Sequence, residues 1–275
     1  KEISLNAKSD FYSIYGLFYF AVGDLTNSYT FFRKNVDLFE KYSEKLQEQT
    51  ESHLTALSNY YLMCMLLHKY EECSLINKKI RVVPTKSIRT QIDIFLISYG
   101  RELGLYVYTG EYSKGIHLVN EIEKGIRLYK GKIQNHEIIT FYFGIAYLYF
   151  GTGDYSLSLA WLNKIINDPS LKDSRADVYG FSQILNLIVH FELGNTDLLE
   201  YIVKSTYRFL YKRNRLYKVE NCILDFIRNK LPKTNTADER GKIFSDFKNE
   251  LTKIMKDPFE KEALEYFDIV SWLES

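Results

Sequence analysis

The sequence has few of the residues that interrupt helices or build disulfide frameworks: four prolines and three cysteines in 275 residues, against 23 tyrosines and 18 phenylalanines. So few breakers leave room for long elements, and the many large side chains give those elements something to bury. Charge of one sign is also missing. The 36 basic and 35 acidic side chains nearly cancel, so no global field favours nucleic acid, an anionic membrane or an acidic substrate, and any such preference has to be local. Cys64, Cys73 and Cys222 are an odd set without CxxC spacing, which argues against a disulfide framework and a zinc site and points to a reducing, cytoplasmic interior. The longest uncharged run, Ile138 to Gly153, falls short of the ~20 apolar residues that span a bilayer and is broken by Gly and Thr. It is read as a buried helix, and no membrane contact is expected. The apolar run Phe11 to Val22 is interrupted by Tyr12, Ser13, Tyr15 and Tyr19, so it is not read as a signal peptide. The chain begins at Lys1 without an initiator Met, which permits a preceding domain or address.

Motifs that carry chemistry are as sparse. His53, His68, His117, His136 and His190 fall in different segments without HExxH or His/Cys ligand spacing. The stretch Gly151-Thr152-Gly153-Asp154 is too short for a phosphate-binding loop, lacks the Gly-Lys-Ser/Thr ending and follows a helical pattern where that loop needs a strand. No serine-centred nucleophile elbow occurs, and the carboxylates are scattered. Catalysis, cofactors and metals are therefore not expected.

What is present is a repeat. A short turn recurs between two helical patterns: Gly23-Asp24-Leu25, His68-Lys69-Tyr70, Gly110-Glu111-Tyr112, Gly153-Asp154-Tyr155 and Gly194-Asn195-Thr196. Its third positions lie 45, 42, 43 and 41 residues apart. Pro84 and Pro169 each follow their turn tyrosine by 14 residues, where a helix should stop. Gly suits a left-handed helix end, and the Asp, Glu or Asn after it suits the start of the next helix. Before each turn runs a nearly all-round apolar helix (Phe11 to Val22, Leu54 to Leu67, Ile92 to Tyr108, Ile138 to Phe150, Val178 to Leu193), which has to be covered on several sides. After it comes an amphipathic one, such as Ile116, Val119, Ile122, Ile126 and Tyr129 at three- and four-residue spacing. More than two thirds of the chain should be helical, with breaks at the five turns. Gly153→Val should cost more than Gly125→Val, because the first caps a helix and the second sits inside one where Val is tolerated.

These residues resemble the tetratricopeptide repeat (TPR) family. The first repeat supplies Gly16, Tyr19, Gly23 and Ser28; the fourth Ala146, Tyr149, Gly153, Tyr155, Ser158 and Pro169; the third Gly110, Tyr112 and Gly115. The second and fifth depart from the pattern, with Tyr61 in place of the first-helix Gly, His68 in place of the turn Gly and Leu199 in place of the early small residue, and the period exceeds the family's ~34 residues. The resemblance implies an all-α fold: a right-handed superhelical solenoid of about five to six antiparallel helix pairs with a C-terminal capping helix. Residues 1–216 hold the TPR-like pairs. Residues 217–275 form a degenerate sixth pair and the cap in the same solenoid: Lys218 to Leu231 ended by Pro232, Thr236 to Lys256 with Ile243, Phe247, Leu251 and Ile254 on one stripe, and a last helix from Asp257-Pro258-Phe259-Glu260 carrying Leu264, Phe267, Val270 and Trp272.

Two surfaces are candidates for binding. In the TPR register the groove-facing positions would be Leu17, Phe20, Leu62, Met65, Tyr147, Phe150, Ile188 and Phe191. They are apolar, unlike the Lys, Arg and Asn with which TPR proteins clamp a terminal carboxylate, so an amphipathic helix or hydrophobic peptide would suit them; the alternative is that they are simply core. The second surface is the basic stretch Lys204, Arg208, Lys212, Arg213, Arg215 and Lys218, interleaved with Tyr207, Phe209, Tyr211 and Tyr217. It could grip phosphates with tyrosines available for stacking, although a charged helical face is most often a solvated one. The leading functional reading is a non-catalytic scaffold that binds a protein or peptide through the inner helices of its middle repeats. The alternatives are the sensing portion of a larger regulator, similar to the TPR-like peptide-receptor domains of bacterial transcription factors, and a nucleic-acid-binding helical repeat using residues 204–218.

Overall fold

The computed structural model describes residues 4–42, 49–212, 217–230, 237–257, 260 and 272. Of these residues 81% are helical, in line with the more than two thirds expected, and no strand occurs among them. Helices α1 (Leu5–Ala21), α2 (Leu25–Lys41), α3 (Thr50–Leu66), α4 (Tyr70–Arg81), α5 (Ile88–Tyr108), α6 (Tyr112–Gly115) and α7 (Leu118–Leu128) lie in one compact unit, Lys1–Ile133. The other, Gln134–Ser275, holds α8 (Asn135–Gly151), α9 (Tyr155–Ile166), α10 (Ala176–Glu192), α11 (Thr196–Lys212), α12 (Lys218–Asp225), a π-helical turn (Phe226–Lys230) and α13 (Ala237–Ile254). Consecutive helices pack as hairpins: α1 with α2, α3 with α4 and α5 with α6 and α7 in the first unit, α8 with α9 and α10 with α11 in the second.

The helices break at all five expected turns, and each turn holds its first residue at positive φ: Gly23 at 80°, His68 at 56°, Gly110 at 70°, Gly153 at 77° and Gly194 at 71°. That left-handed residue folds the chain back so that the next amide reaches a carbonyl of the last helical turn. Asp24 N–H donates to Tyr19 O at 2.9 Å, Lys69 to Cys64 O at 2.8 Å, Asp154 to Tyr149 O at 2.9 Å and Asn195 to His190 O at 2.9 Å. The Asp24 and Asp154 side chains then accept from Asn27 N at 3.0 Å and Leu157 N at 3.1 Å, capping α2 and α9. His68 adopts the same backbone with a Cβ that glycine lacks, and its Nδ1 lies 2.7 Å from the Tyr70 hydroxyl.

A contact recurs just after the turn. Ser28 Oγ donates to Gly16 O at 2.9 Å and Ser158 Oγ to Ala146 O at 2.8 Å, each across a hairpin to the residue twelve earlier. Cys73 makes the equivalent contact, Sγ to Tyr61 O at 4.0 Å. In the second hairpin a buried thiol thus takes the place of the serine. Small residues are also needed where helices touch: a Cβ on Gly16 would lie 2.6 Å from the Phe32 ring. The same holds for Gly125 of α7, where a Cβ would lie 2.0 Å from Phe95 Cε2. The expectation that Val is tolerated at 125 is thereby overturned, since this glycine is the contact face between α7 and α5.

Two other departures are local. The second helix of the third hairpin is not continuous: α6 stops after one turn, His117 Nδ1 bonds Lys114 O, and Val119 N–H donates to Ile116 O at 3.1 Å over a three-residue spacing. Gly115, buried within that stretch, lowers helix propensity by about 1 kcal/mol. The segment from Lys218 changes from α- to π-helical at Phe226; Pro232 lies outside the described residues, as do Leu264, Phe267 and Val270. Two described residues beyond α13 are nonetheless held by hydrogen bonds. The buried Glu260 carboxylate accepts from Lys218 N at 3.3 Å and Val219 N at 3.2 Å, capping α12, and Trp272 Nε1 donates to Glu192 Oε1 of α10 at 2.7 Å. On α13, Phe247 and Leu251 are buried, and Phe247 stacks on Phe226 with 3.9 Å between ring centres.

The apolar first helices differ most in how they are covered. α10 is buried at every residue from Val178 to Val189, as an all-round apolar helix demands. α1, equally apolar, buries only Ser9 and Gly16. Its Phe11, Ile14, Leu17 and Phe18 are all exposed, so the expectation that every such helix is covered fails here.

Candidate functional site

In the first unit, exposed apolar side chains stand on α1 and α3. Both rest on α2: Gly16 admits the Phe32 ring, and the Tyr60 hydroxyl oxygen of α3 lies 3.2 Å from the Tyr29 hydroxyl oxygen of α2. The two first helices begin side by side, Gln49 Nε2 donating to Asn6 Oδ1 at 2.6 Å. Leu17 is 52%, Phe20 41% and Leu62 44% exposed, with Leu66 open and Met65 half-buried. Four of the eight predicted groove positions therefore stand in one unit, three of them plainly accessible. Apolar surface of this kind gains about 25 cal/mol for each Å² a partner removes from water.

The other four do not form its counterpart. Tyr147 and Phe150 are 4% and 8% exposed, Ile188 is fully buried and Phe191 is half-buried. The expectation that Tyr147, Phe150 and Ile188 line a groove is corrected by this burial. Phe143, Tyr147, Phe150 and Tyr155 follow one another in ring contact, with centres 6.2, 6.2 and 5.7 Å apart, and Ile188 belongs to the covered stretch of α10. These residues hold the α8, α9 and α10 layers together.

Where α2, α3 and α4 meet lies a polar cluster that sequence reasoning missed. Glu72 of α4 accepts from Tyr60 OH, from Tyr29 OH at 2.8 Å and from Lys69 Nζ at 3.2 Å. Burial pushes its carboxyl up, but the two hydroxyls and the ammonium outweigh that and hold it at about 2. The cluster ties α2, α3 and α4 together. A second missed feature is a cleft of about 640 Å³ lined by Arg81, Phe95, Ser98, Tyr99, Lys124 and Tyr129 among others. Arg81 pairs with Glu102 and lies 4.2 Å from the Tyr99 ring centre; its Nε, and the hydroxyl of the fully buried Ser98, have no hydrogen-bond partner. Lys124 is held by Glu121 at 2.7 Å on the rim. The cleft lies between α5 and α7, beside the end of α4.

In the second unit the basic stretch resolves into parts. Lys204, Arg208 and Lys212 are exposed on α11. Arg213 and Arg215 lie outside the described residues. Lys218 is exposed at the start of α12 and pairs with Asp257 at 3.3 Å. Lys204 pairs with Glu200 at 2.6 Å, while Arg208 spends its Nε on Lys204 O at 3.1 Å. Two cations absent from the sequence reading join them: Lys172, from the segment after Pro169, lines a cleft of about 660 Å³ with Arg208 and Lys212, and Arg228 lines one of about 430 Å³ with Lys204 and Arg208. Only contacts distant in sequence bring them to α11.

Among the described residues no group of three or more His, Cys, Asp and Glu side chains could hold a metal ion, and no helix is long and apolar enough to cross a membrane. Comparison with known protein families finds no family model that matches the chain, and comparison with characterised proteins finds no matching sequence.

Proposed function

We propose that the chain is a non-catalytic binding scaffold whose hairpins are TPR-like repeats, and that it takes up an amphipathic protein segment on the inner helices of its first unit. The observation that carries this reading is the exposure of Leu17 and Phe20 on α1 and of Leu62 and Leu66 on α3, two helices whose starts are joined by the Gln49–Asn6 bond. A monomer gains nothing from leaving such side chains in water, whereas a segment with apolar residues at three- and four-residue spacing would cover them. The burial of Tyr147 and Phe150 moves the site from the middle repeats to the first two. The neighbouring charges do not select a terminal carboxylate: Lys69 is held by Glu72 at 3.2 Å and Lys79 by Glu40 at 2.5 Å.

The test selects helical peptides from a displayed library on the intact chain and then measures their affinity for Leu17→Ser, Leu62→Ser and Lys212→Glu variants. Selected peptides should be amphipathic and should lose about tenfold or more in affinity with each leucine change, as burying a leucine is worth about 1.5–3 kcal/mol, while Lys212→Glu leaves them unaffected. Peptides that are uniformly acidic and indifferent to the leucine changes would overturn the reading.

A further inference from the structure

We infer that the outer face of α11, together with Lys172, is a second and independent binding surface, for single-stranded nucleic acid, with cations meeting phosphates and tyrosines stacking under bases. Three observations combine. First, the cleft formed by Lys172, Arg208 and Lys212 has no carboxylate in its lining, and among the described residues none of these three cations pairs with one. Lys204, one turn before Arg208 on the same helix, is by contrast matched by Glu200 at 2.6 Å. Unmatched cations around a concavity repel one another, and an anion relieves that repulsion.

Second, the aromatic rings on this face are bare. Tyr201 is 70% exposed, Tyr211 65% and Tyr207 44%, and the rings of Tyr207 and Tyr211 stack at 6.0 Å between centres with 10° between their planes. At about 100° per residue, Tyr201, Arg208 and Lys212 fall on one line along α11, with Tyr211 about 80° and Tyr207 about 120° round the helix from it, on the side of the second cleft. Third, the geometry suits a strand. From Tyr201 to Lys212 the helix rises about 16 Å, the reach of three or four nucleotides at 3.4–5 Å each, and Arg208, with its Nε engaged on Lys204 O at 3.1 Å, lines the clefts on both sides. An acidic polypeptide would use the cations but has no use for exposed ring faces. A duplex would offer phosphates but keep its bases stacked on each other.

Fluorescence anisotropy with the intact chain tests this, using a labelled oligouridine of about 15 nucleotides, a duplex of the same length and labelled poly-glutamate at about 50 mM salt. The oligouridine should bind best, and its affinity should fall with a log–log salt slope near −2, about 0.7 for each of three phosphates released. The double variant Arg208→Glu, Lys212→Glu should lose at least about tenfold. Tyr201→Ala and Tyr211→Ala, which remove no charge, should each lose roughly 5- to 100-fold. All four positions are exposed, and helical circular dichroism of the variants confirms that the fold persists. Tyrosine variants that bind like the parent chain, poly-glutamate or duplex bound as tightly as oligouridine, or absence of oligouridine binding at the lowest salt would each overturn the inference. Leu17→Ser and Leu62→Ser should leave oligouridine binding unchanged, which separates this surface from the peptide site.

Discussion

Replacing Gly125 by alanine adds one carbon to the face of α7 that meets α5, and the structure fixes what that carbon encounters. It would lie 2.0, 2.3 and 2.7 Å from three atoms of the Phe95 ring, where ordinary contact begins at 3.4 Å, so the ring has to retreat by about 1.4 Å. Phe95 is buried and flanked by Tyr99 at 5.3 Å and Tyr129 at 5.7 Å, which block sideways movement; the neighbouring cleft offers a route but exposes the ring. Overpacking of this kind costs about 1–3 kcal/mol, set against about 1 kcal/mol gained from replacing a helical glycine. Gly125→Ala should therefore be destabilising by up to about 2 kcal/mol, and Gly125→Val, with two more methyl groups and no comparable gain in propensity, by about 3 kcal/mol. Gly104 on α5 supplies the control. A Cβ there meets nothing within 4 Å, so Gly104→Ala should stabilise by about 1 kcal/mol. Gly153→Val strains only the backbone, costing about 1–2 kcal/mol, which reverses the order expected from sequence. Urea denaturation followed by circular dichroism, compared by midpoint at constant slope, measures all four. If Gly125→Ala stabilises as much as Gly104→Ala, Phe95 does not sit against α7 and the reasoning fails.

Ser158→Ala removes the buried bond to Ala146 O and should cost about 1 kcal/mol; a neutral result in the same denaturation assay would mean that the recurring hairpin contact is incidental. His68→Gly should raise stability by roughly 1 kcal/mol, because His68 holds positive φ with a Cβ that glycine lacks; a loss would show that its contact with Tyr70 outweighs the backbone strain. The Glu72 carboxyl is held at about 2 in the folded chain, against 4.5 ordinarily. A lowered carboxyl pKa stabilises the fold above the unfolded value and loses that contribution as pH falls through the folded value, so stability should decline between about pH 4.5 and 2. Glu72→Gln should flatten part of that decline in a pH series of thermal melts, and an unchanged slope would refute the assignment.

The hairpin turns were legible because their chemistry is local. Gly at the helix end, Asp after it and Pro beyond the second helix each act within a few residues, so all five breaks could be placed from spacing alone. Even His68 was placed correctly by the period, although nothing in its residue type announces a left-handed backbone. Coverage of the first helices was not legible. α1 and α10 carry similar apolar patterns, yet one is open and the other enclosed, because burial depends on which neighbours arrive and not on the helix itself. For the same reason Leu17 and Leu62 remained candidate groove residues while Tyr147, Phe150 and Ile188 became core. Gly125 looked like a tolerant helical position because its constraint, the Phe95 ring, lies 30 residues earlier in another helix. The basic face was half visible: Arg208 and Lys212 stood out at helical spacing, whereas Lys172 joins them only through the packing of α10 and α11.

Amide hydrogen exchange of the intact chain, with and without a peptide selected on it, tests the proposed site most directly. Added protection is expected in α1 and α3, around Leu17 to Phe20 and Leu62 to Leu66, with α11 unchanged. Protection confined to α11 or to α8 and α10, with α1 and α3 exchanging as in the free chain, would contradict it.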